Sequence, residues 1–536
     1  MERDRAGNFL KKAKNLGTLT STLKTSKDFV GKADLDDLYQ LRLSNRSSLN
    51  LQASNLSKGA KIKIEVFKLK GAKNKVIKAI GKVAFSTLKG KKLSQNISFV
   101  KKSAFSKSSN SLNLALDAGE YYFRIAPRKG DTAYRISASA TDLSVQFNRK
   151  WIQQFGTNKN DYGYGIAPVG DNLYISGSTE GNLGAANAGD QDSFAALYTT
   201  NGTLQWQRQF GSPGYDIAAD ITADSSGNYY VGSSASSGPT NFNGYATKFA
   251  STGTREWQKQ ISPNGSAAVL SVATDGAGNA SVYVAGLMKN SPLTPATAYV
   301  AKYNSAGQEI WLKEWSGTGS SNATAVAIDK DGNVYIAGIT NASLQGSLLS
   351  SSFQGGDAFV AKYNANGTKL WDQTIATPAQ EYARSIAVDA LGNVYITGNT
   401  DGTIPGQTSA GGIDGFVAKY STTGTQLWAK QFGTSGLDDS QGVAVSDTGY
   451  VFLTGGTTGG IFGNTNAGGS DAWLAAFNSD GKLAGSTQIG TNQDDTAYGI
   501  AAAGSSVYVL GQTQGAIAGG TNQGQYDVWV SRYDIV

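Results

Sequence analysis

The chain of 536 residues holds neither cysteine nor histidine, which excludes disulfides, thiol nucleophiles, imidazole acid–base catalysis and zinc sites built on thiolate or imidazole. Its 67 glycines, 9 prolines and abundant aromatic residues suit an all-β protein with many tight turns, and the length exceeds one ordinary core. The 47 basic and 40 acidic side chains are unevenly spread: residues 1–150 carry 31 and 11, the remainder 16 and 29, which predicts two regions with surfaces of opposite sign.

Residues 1–27 read as an arm. Their opening, "MERDRAGNFLKKAKNLGTL", lacks the continuous apolar stretch of a signal peptide, and no apolar run approaches the roughly 20 residues of a membrane span. Residues 28–142 then alternate apolar and polar side chains in short runs: "LYQLRLS", "SLNLQAS", "KIKIEVFKL", "NISFV", "SLNLAL", "EYYFRIA", "AYRISASA". Alternation of this kind predicts an antiparallel sandwich with one wet face. Within it, residues 58–107 hold 15 lysines and a single acid, Glu65. Lys61, Lys63, Lys68, Lys70, Lys73, Lys75 and Lys78 are candidates for contact with an anionic polymer, an acidic polysaccharide, lipopolysaccharide or nucleic acid. Alternation places Lys61 and Lys63 opposite Ile62 and Ile64. The aromatics interleaved here are few (Phe67, Phe85, Phe99, Phe105), so stacking readout of bases and sequence-specific nucleic-acid binding are not expected. The plain alternative is a solvated basic face. The stretches "DFVGKADLDDLYQLRLSNRSSLNLQASNL" and "LALDAGEYYFRIAPRKGDTAYRISASA" resemble the bacterial pre-peptidase C-terminal domain. That resemblance implies a small jelly-roll-like sandwich of the kind attached to secreted enzymes and surface proteins. The lysine-rich middle departs from it and speaks against an acidic metal site. Residues 143–150 read as a linker.

From residue 151 one phrase returns. Aligned on an apolar residue of a first strand, the copies centre on Ile166, Ile221, Val272, Val326, Ile386, Val443 and Ile500. Each continues through a turn into a second strand ("GNVYIAG", "GNVYITG"), a third ("DAFVAKY", "DGFVAKY") and, in most copies, a fourth ("KLWDQTI", "QLWAKQF"). Four short antiparallel strands per repeat of about 55 residues is the pattern of a propeller blade. Trp151–Phe155 is a fourth strand without a preceding three, and the C-terminus offers three strands without a fourth. Pairing them closes a seven-bladed ring over 151–536 and removes a sheet edge. The repeated unit resembles the bacterial seven-bladed β-propeller repeat family known by its SBBP repeat. It departs in having Gly485 in place of a fourth-strand Trp, and no acid before the first strand in blades 3 and 4. The resemblance implies a fold and no single chemistry.

Connectivity sorts the loops. The long second-to-third loops and the blade crossings share one face, the default place for binding. One apolar residue recurs in these loops: Leu183, Leu344, Ile404, Ile461 and Ile517. Each is expected to tuck its loop onto the blade. Acids recur five residues before the first-strand apolar position: Asp161, Asp216, Glu381, Asp438 and Asp495. A second set opens the third strand: Asp192, Asp357, Asp414, Asp471 and Asp527. Such rings could bind cations, a basic peptide or an amino sugar, or could cap turns and fix the crossings; repetition in nearly every blade favours the second role. "DKDGN" at 329–333 resembles part of a calcium loop, but its equivalents "DALGN" and "DSSGN" mark it as the blade turn. The tryptophans Trp151, Trp206, Trp257, Trp311, Trp371 and Trp428 are expected between blades. "AKYNANGTKLW" also resembles the docking motif of quinone-dependent dehydrogenases, whose propellers usually have eight blades and a calcium-bound cofactor pocket. No dedicated pocket motif accompanies it here.

The expectation is therefore an all-β, monomeric, non-enzymatic binding or scaffold protein of the bacterial envelope or exterior, exported by a route not written in this segment. It needs no cofactor or metal, and its long-loop face takes a protein or glycan ligand. The competing reading is a carboxylate-dependent glycoside hydrolase or lyase. It would require two loop carboxylates about 5–10 Å apart in an open cleft, and the loops offer few aromatics for sugar stacking (Phe242, Phe353, Phe462, Tyr526).

Overall fold

The computed structural model describes two units. In the first it describes residues 14–18, 24–30, 37–43, 47–54, 61–69, 97–105, 111–116, 119–129 and 132–142; from 144 to 536 it describes all but 237–241, 263–264, 277–279, 290–293, 316–318 and 346–351.

The N-terminal unit has two sheets. One runs in the order Lys14–Thr18, Asp37–Leu43, Gly119–Lys129, Lys61–Leu69, Ile97–Phe105, and the other Lys24–Val30, Thr132–Asp142, Ser47–Ser54, Ser111–Leu116. Tyr39, Leu41, Ile62, Ile64, Val66, Phe123 and Ile125 of the first sheet share one buried cluster with Leu49, Leu51, Leu112 and Ala138 of the second. These are alternate positions, as period-2 burial requires. The arm expected over 1–27 is partly strand. Lys14–Thr18 pairs in parallel with Asp37–Leu43, and Lys24–Val30 pairs antiparallel with Thr132–Asp142. Neither segment alternates clearly in sequence, because each sits at the edge of its sheet.

The second unit is a seven-bladed β-propeller. Its sheets contain four strands each, and blade 4 adds a short fifth, Ser352–Gln354. The first strands are Asp161–Val169, Asp216–Ala223, Ser266–Thr274, Ser320–Ile328, Glu381–Val388, Asp438–Val445 and Asp495–Ala503. They line the central channel. Second and third strands, such as Val394–Thr400 and Asp414–Tyr420, are buried along their whole length. Fourth strands such as Gln426–Phe432 are the most exposed. The cores lie between blades: Ile175, Phe194 and Ala196 of blade 1 pack with Tyr508, Leu510 and Val530 of blade 7. The ring closes through Phe147–Phe155, which pairs antiparallel with the last strand, Asp527–Ile535. This strand begins inside the segment read as a linker. Phe147 pairs with Ile535, and its ring meets those of Tyr533 and Phe452 at 6.2 Å.

Tryptophans fasten blade to blade. The indole N–H of Trp151, Trp257, Trp311 and Trp371 donates to Thr200, Ser305, Ala365 and Thr422 respectively, carbonyls in the third-to-fourth turn of the next blade, at 3.0–3.2 Å. Each of these turns carries a glycine at positive φ against the indole, as Gly424 (φ +84°) lies on Trp371. At the blade 2 turn Arg208 takes this place, donating to Thr252 O at 2.8 Å, while Trp206 packs on Tyr229.

Candidate functional site

The two acid sets meet at the blade junctions. Asp161, Asp216, Glu381, Asp438 and Asp495 are at most 8% exposed. Each accepts the backbone N–H and hydroxyl of a Thr or Ser four residues earlier, as Thr491 N and Oγ1 donate to Asp495 at 2.6 and 2.8 Å. Glu381 and Asp438 also take the hydroxyl of Thr400 and Thr457. Burial pushes Asp161, Asp216, Glu381 and Asp495 above the usual carboxylate range against these bonds. The charge of the preceding blade's acid (Asp527, Asp192, Asp357 and Asp471) adds to that rise. These carboxylates hold the turns at the blade junctions. Four of the five junction pairs are buried; at the fifth Glu381 is buried while Asp357 is half-buried and, with Asp401, lines an open depression. Among the described residues no group of three or more metal-ligating acids gathers.

Four of the five third-strand acids belong to a clamp that the sequence reading passed over. Gln154, Gln209, Gln431 and Gln488 donate through Nε2 to Asp527, Asp192, Asp414 and Asp471 at 2.7–3.0 Å. The same Nε2 reaches a carbonyl of the long loop (Gly515, Gly181, Gly402, Gly459). Where the loop's apolar residue is Ile517, Leu183 or Ile404, Oε1 receives its N–H. Those residues and Ile461 are at most 5% exposed. The signal was present: a Gln stands two residues before Gly156, Gly211, Gly433 and Gly490. Gly is needed there because a Cβ would meet the clamped carboxylate, at 2.1 Å in the case of Gly433 and Asp414. Four long loops are therefore stapled down. Phe242 is buried, Phe462 packs against Trp473, and the side chains of Leu344 and Phe353 lie outside the described residues. "DKDGN" is a turn: Asp329 accepts from Asp331 N, Asn333 N and Nδ2, and Tyr335 OH at 2.7–2.9 Å.

The channel differs from blade to blade. Every first strand slips register by one residue against its second strand, at 163/165, 218/220, 269/271, 323/325, 383/385, 440/442 and 497/499. The extra residue of a bulge is unpaired and re-aimed. Here it is Tyr164, Ala219, Leu270, Thr324, Arg384, Gln441 or Tyr498, and all seven line a channel cavity of about 170 Å³. Next to the bulge, Asp220 and Ser271 hold neighbouring first strands. Asp220 accepts from Ile221 N, Val272 N and Ser271 Oγ at 2.8–3.0 Å, and Ser271 Oγ accepts from Val326 N. Enclosure by the channel wall raises the Asp220 carboxyl to about 6 despite these bonds.

To this cavity blades 2 and 3 give the apolar Ala219 and Leu270, whereas blades 4, 5, 6, 7 and 1 give Thr324, Arg384, Gln441, Tyr498 and Tyr164; two residues earlier in blades 1 to 7 stand Tyr162, Ile217, Ala268, Asn322, Tyr382, Asp439 and Thr496. Tyr526, from the last long loop, lies 5.7 Å from Tyr162; Tyr162 stacks toward Tyr164 at 6.4 Å, and Tyr164 meets Tyr498 edge-on at 6.1 Å. The Arg384 guanidinium rests over the Tyr382 ring at 4.1 Å. Asn399 donates to Asp439 at 2.6 Å. Burial first, and then the charge of a nearby carboxylate, raises the hydroxyls of Tyr162 (Glu180), Tyr526 (Asp494) and Tyr498 (Asp439), the last to about 12. All of these residues sit at or near the starts of first strands or the adjoining loop ends, on the long-loop side.

In the N-terminal unit Lys63 is half-buried and pairs with Glu65 at 2.8 Å. Lys61 and Lys68 lie in the strand Lys61–Leu69, with side chains outside the described residues, as are Lys70, Lys73, Lys75 and Lys78 altogether.

The chain is a β-propeller protein in which seven four-stranded sheets surround a channel. A repeat family described as SBBP, β-propeller repeat, matches residues 205–243, 310–345 and 373–404, each running from a fourth strand into the next blade. Part of the chain is similar to the regulatory protein FlaEY of Caulobacter vibrioides, with 26% identity over 157 residues, 27% of this chain and 16% of that protein. The chain thus aligns with only about one sixth of that relative's length. Among solved structures, Sqt1 from Chaetomium thermophilum superposes with a TM-score of 0.42 at 12% identity, covering 73% of this chain and 100% of that one. The β-propeller domain of the Trilobed protease from Pyrococcus furiosus gives 0.38 at 9%, covering 70% and 94%.

Proposed function

We propose that this protein is a non-enzymatic binding scaffold of the bacterial envelope or exterior. In this reading the propeller takes its ligand, a protein segment or glycan, at the channel mouth on the long-loop face. The N-terminal sandwich, of pre-peptidase C-terminal type, holds an anionic polymer. The observation that carries the reading is the division of polar groups. The repeated acids, Asp357 apart, are buried in turns, while polar and aromatic residues that differ between blades collect at one mouth. An enzyme of the hydrolase or lyase class would need a general acid and base both exposed to substrate, and the first-strand carboxylate of every pair is at most 8% exposed.

The test is to screen the full chain against glycans and envelope fractions. Saturable binding without turnover is expected; turnover of any bound glycan overturns the reading. For the basic unit, binding to heparin should weaken steeply between 50 and 200 mM salt, by a factor on the order of 10³ if about six phosphate-like charges are neutralised. Substituting Lys61, Lys63 and Lys68 by Gln should flatten that dependence. Binding indifferent to both salt and these substitutions would reduce the lysines to a solvated face.

A further inference from the structure

We infer that the tyrosine wall at the channel mouth, formed by Tyr498, Tyr164, Tyr162 and Tyr526 with the carboxylates of Glu180, Asp439 and Asp494, is a receptor for a cationic side chain, an arginine or lysine presented by a basic peptide. This deepens the scaffold reading and rests on it.

Three observations lead there. The first is the break in symmetry. A bulge aims one residue of every blade into the channel, yet only consecutive blades 7 and 1 place tyrosines there, and a fourth-from-apolar residue, Tyr162, extends the wall outward. Packing between blades does not require this, because Ala219 and Leu270 serve at the same register. The second is charge. The Tyr162 hydroxyl feels the charge of Glu180 and Asp161, Tyr526 that of Asp494, and Tyr498 that of Asp439 with Arg384 opposing it, and residues 151–536 carry 29 acids against 16 basic side chains. Ring faces with adjacent carboxylates attract cations, more so where water is partly excluded.

The third is a precedent within the same mouth. Arg384 lies 4.1 Å over the Tyr382 ring, in the field of Asp439. A guanidinium on a tyrosine beside a carboxylate is the geometry proposed for the incoming side chain on the neighbouring rings. Glu180 Oε2 is positioned by Asn160 Nδ2 at 2.9 Å, Asp494 Oδ1 by Ser470 N at 2.8 Å and Tyr498 by Gln512 Nε2 at 3.2 Å. The acceptors are thus held in place before binding. Arg384 also gives the proposal a sign. As a resident cation it repels an arriving one, so its removal should tighten binding. Were the mouth built for an anion, Arg384 would be its anchor and removal would abolish binding.

The experiment is calorimetric titration of the full chain with an Arg-containing tetrapeptide, its Lys counterpart, an acidic tetrapeptide and arginine amide. Basic peptides should bind and weaken with salt; binding of arginine amide alone, without a gain from the peptide, overturns the peptide as the source. Tyr498→Leu and Glu180→Gln should each weaken binding about tenfold, Tyr498→Phe should retain it because the ring remains, and Arg384→Ala should tighten it several-fold. Circular dichroism and melting of each variant exclude a folding defect. Binding of the acidic peptide that is lost in Arg384→Ala overturns the proposal. If another ligand from the screen binds and none of these substitutions affects it, the scaffold reading stands and this site falls.

Discussion

Replacing Gln431 by alanine should loosen the loop between residues 401 and 413 and destabilise the propeller. The side chain makes three bonds: Oε1 accepts from Ile404 N at 2.9 Å, and Nε2 donates to Gly402 O at 2.9 Å and to Asp414 Oδ2 at 2.7 Å. Two neutral bonds at about 1 kcal/mol and one to a carboxylate at about 2 give roughly 4 kcal/mol gross. Water reaching this half-buried position returns part of that, leaving an expected loss of about 2–3 kcal/mol. Asp414 keeps its bond from Ala410 N, so the carboxylate is not stranded. If the loop detaches, Ile404, now 2% exposed, loses its burial and about 2 kcal/mol more. The assay is denaturant unfolding of the full chain together with limited proteolysis of the loop. Gln205→Ala is the control. It is exposed, with one 3.3 Å bond to Thr203 O two residues away, and should change stability by less than about 0.5 kcal/mol. Equal midpoints and equal cleavage rates for the two variants would show that the clamp does not hold the loop.

Deleting residues 151–155 should expose the edge of Asp527–Ile535 and cost the propeller its cooperative melting or its solubility; an unchanged melt refutes closure by this strand. Gly424→Ala should destabilise by about 1–3 kcal/mol, since φ is +84° and a Cβ would sit 2.8 Å from the Trp371 ring; a neutral melting shift refutes the strain. Melting temperature should fall as pH rises from about 4 through 6. The folded carboxyl of Asp220 titrates near 6, above its unfolded value, so the folded state holds the extra proton and its advantage is full below about pH 4 and lost above about 6. Asp161, Asp216, Glu381, Asp439 and Asp495 are raised in the same direction. Asp220→Asn should flatten part of this slope by at most about 3 kcal/mol; a slope of opposite sign refutes it.

The ring was legible because every blade must solve the same packing problem. Val394–Thr400 and its counterparts are buried along their whole length, so each copy needs a continuous apolar run bounded by a turn, and seven such runs identify themselves. Closure was legible from an odd strand at each end. The clamp was written in the sequence as Gln before Phe-Gly or Ile-Gly, but a glutamine carries no pattern of its own. Its role appears only when the fold brings Asp192 or Asp414 from another strand to meet it.

The channel wall was hidden for a different reason, one that leaves a trace. Buried positions in a first strand fall at Asp161, Gly163, Gly165 and Ile166, of which Gly165 has no side chain to aim. The first two are two apart, as a strand demands, but Gly163 and Ile166 are three apart. An unbroken strand cannot bury both on one face, because a shift by one residue reverses every side chain. The parity error can be absorbed only by an extra residue between them, and the structure places it at Tyr164. The same arithmetic in "EYARSI" makes Arg384 the extra residue, and in "DTAYGI" Tyr498. That position accepts Ala219, Leu270, Thr324 and Gln441 as well as aromatic and basic side chains, so the repeat varies there, and the tyrosines and the arginine can gather at the mouth while the blade cores stay the same.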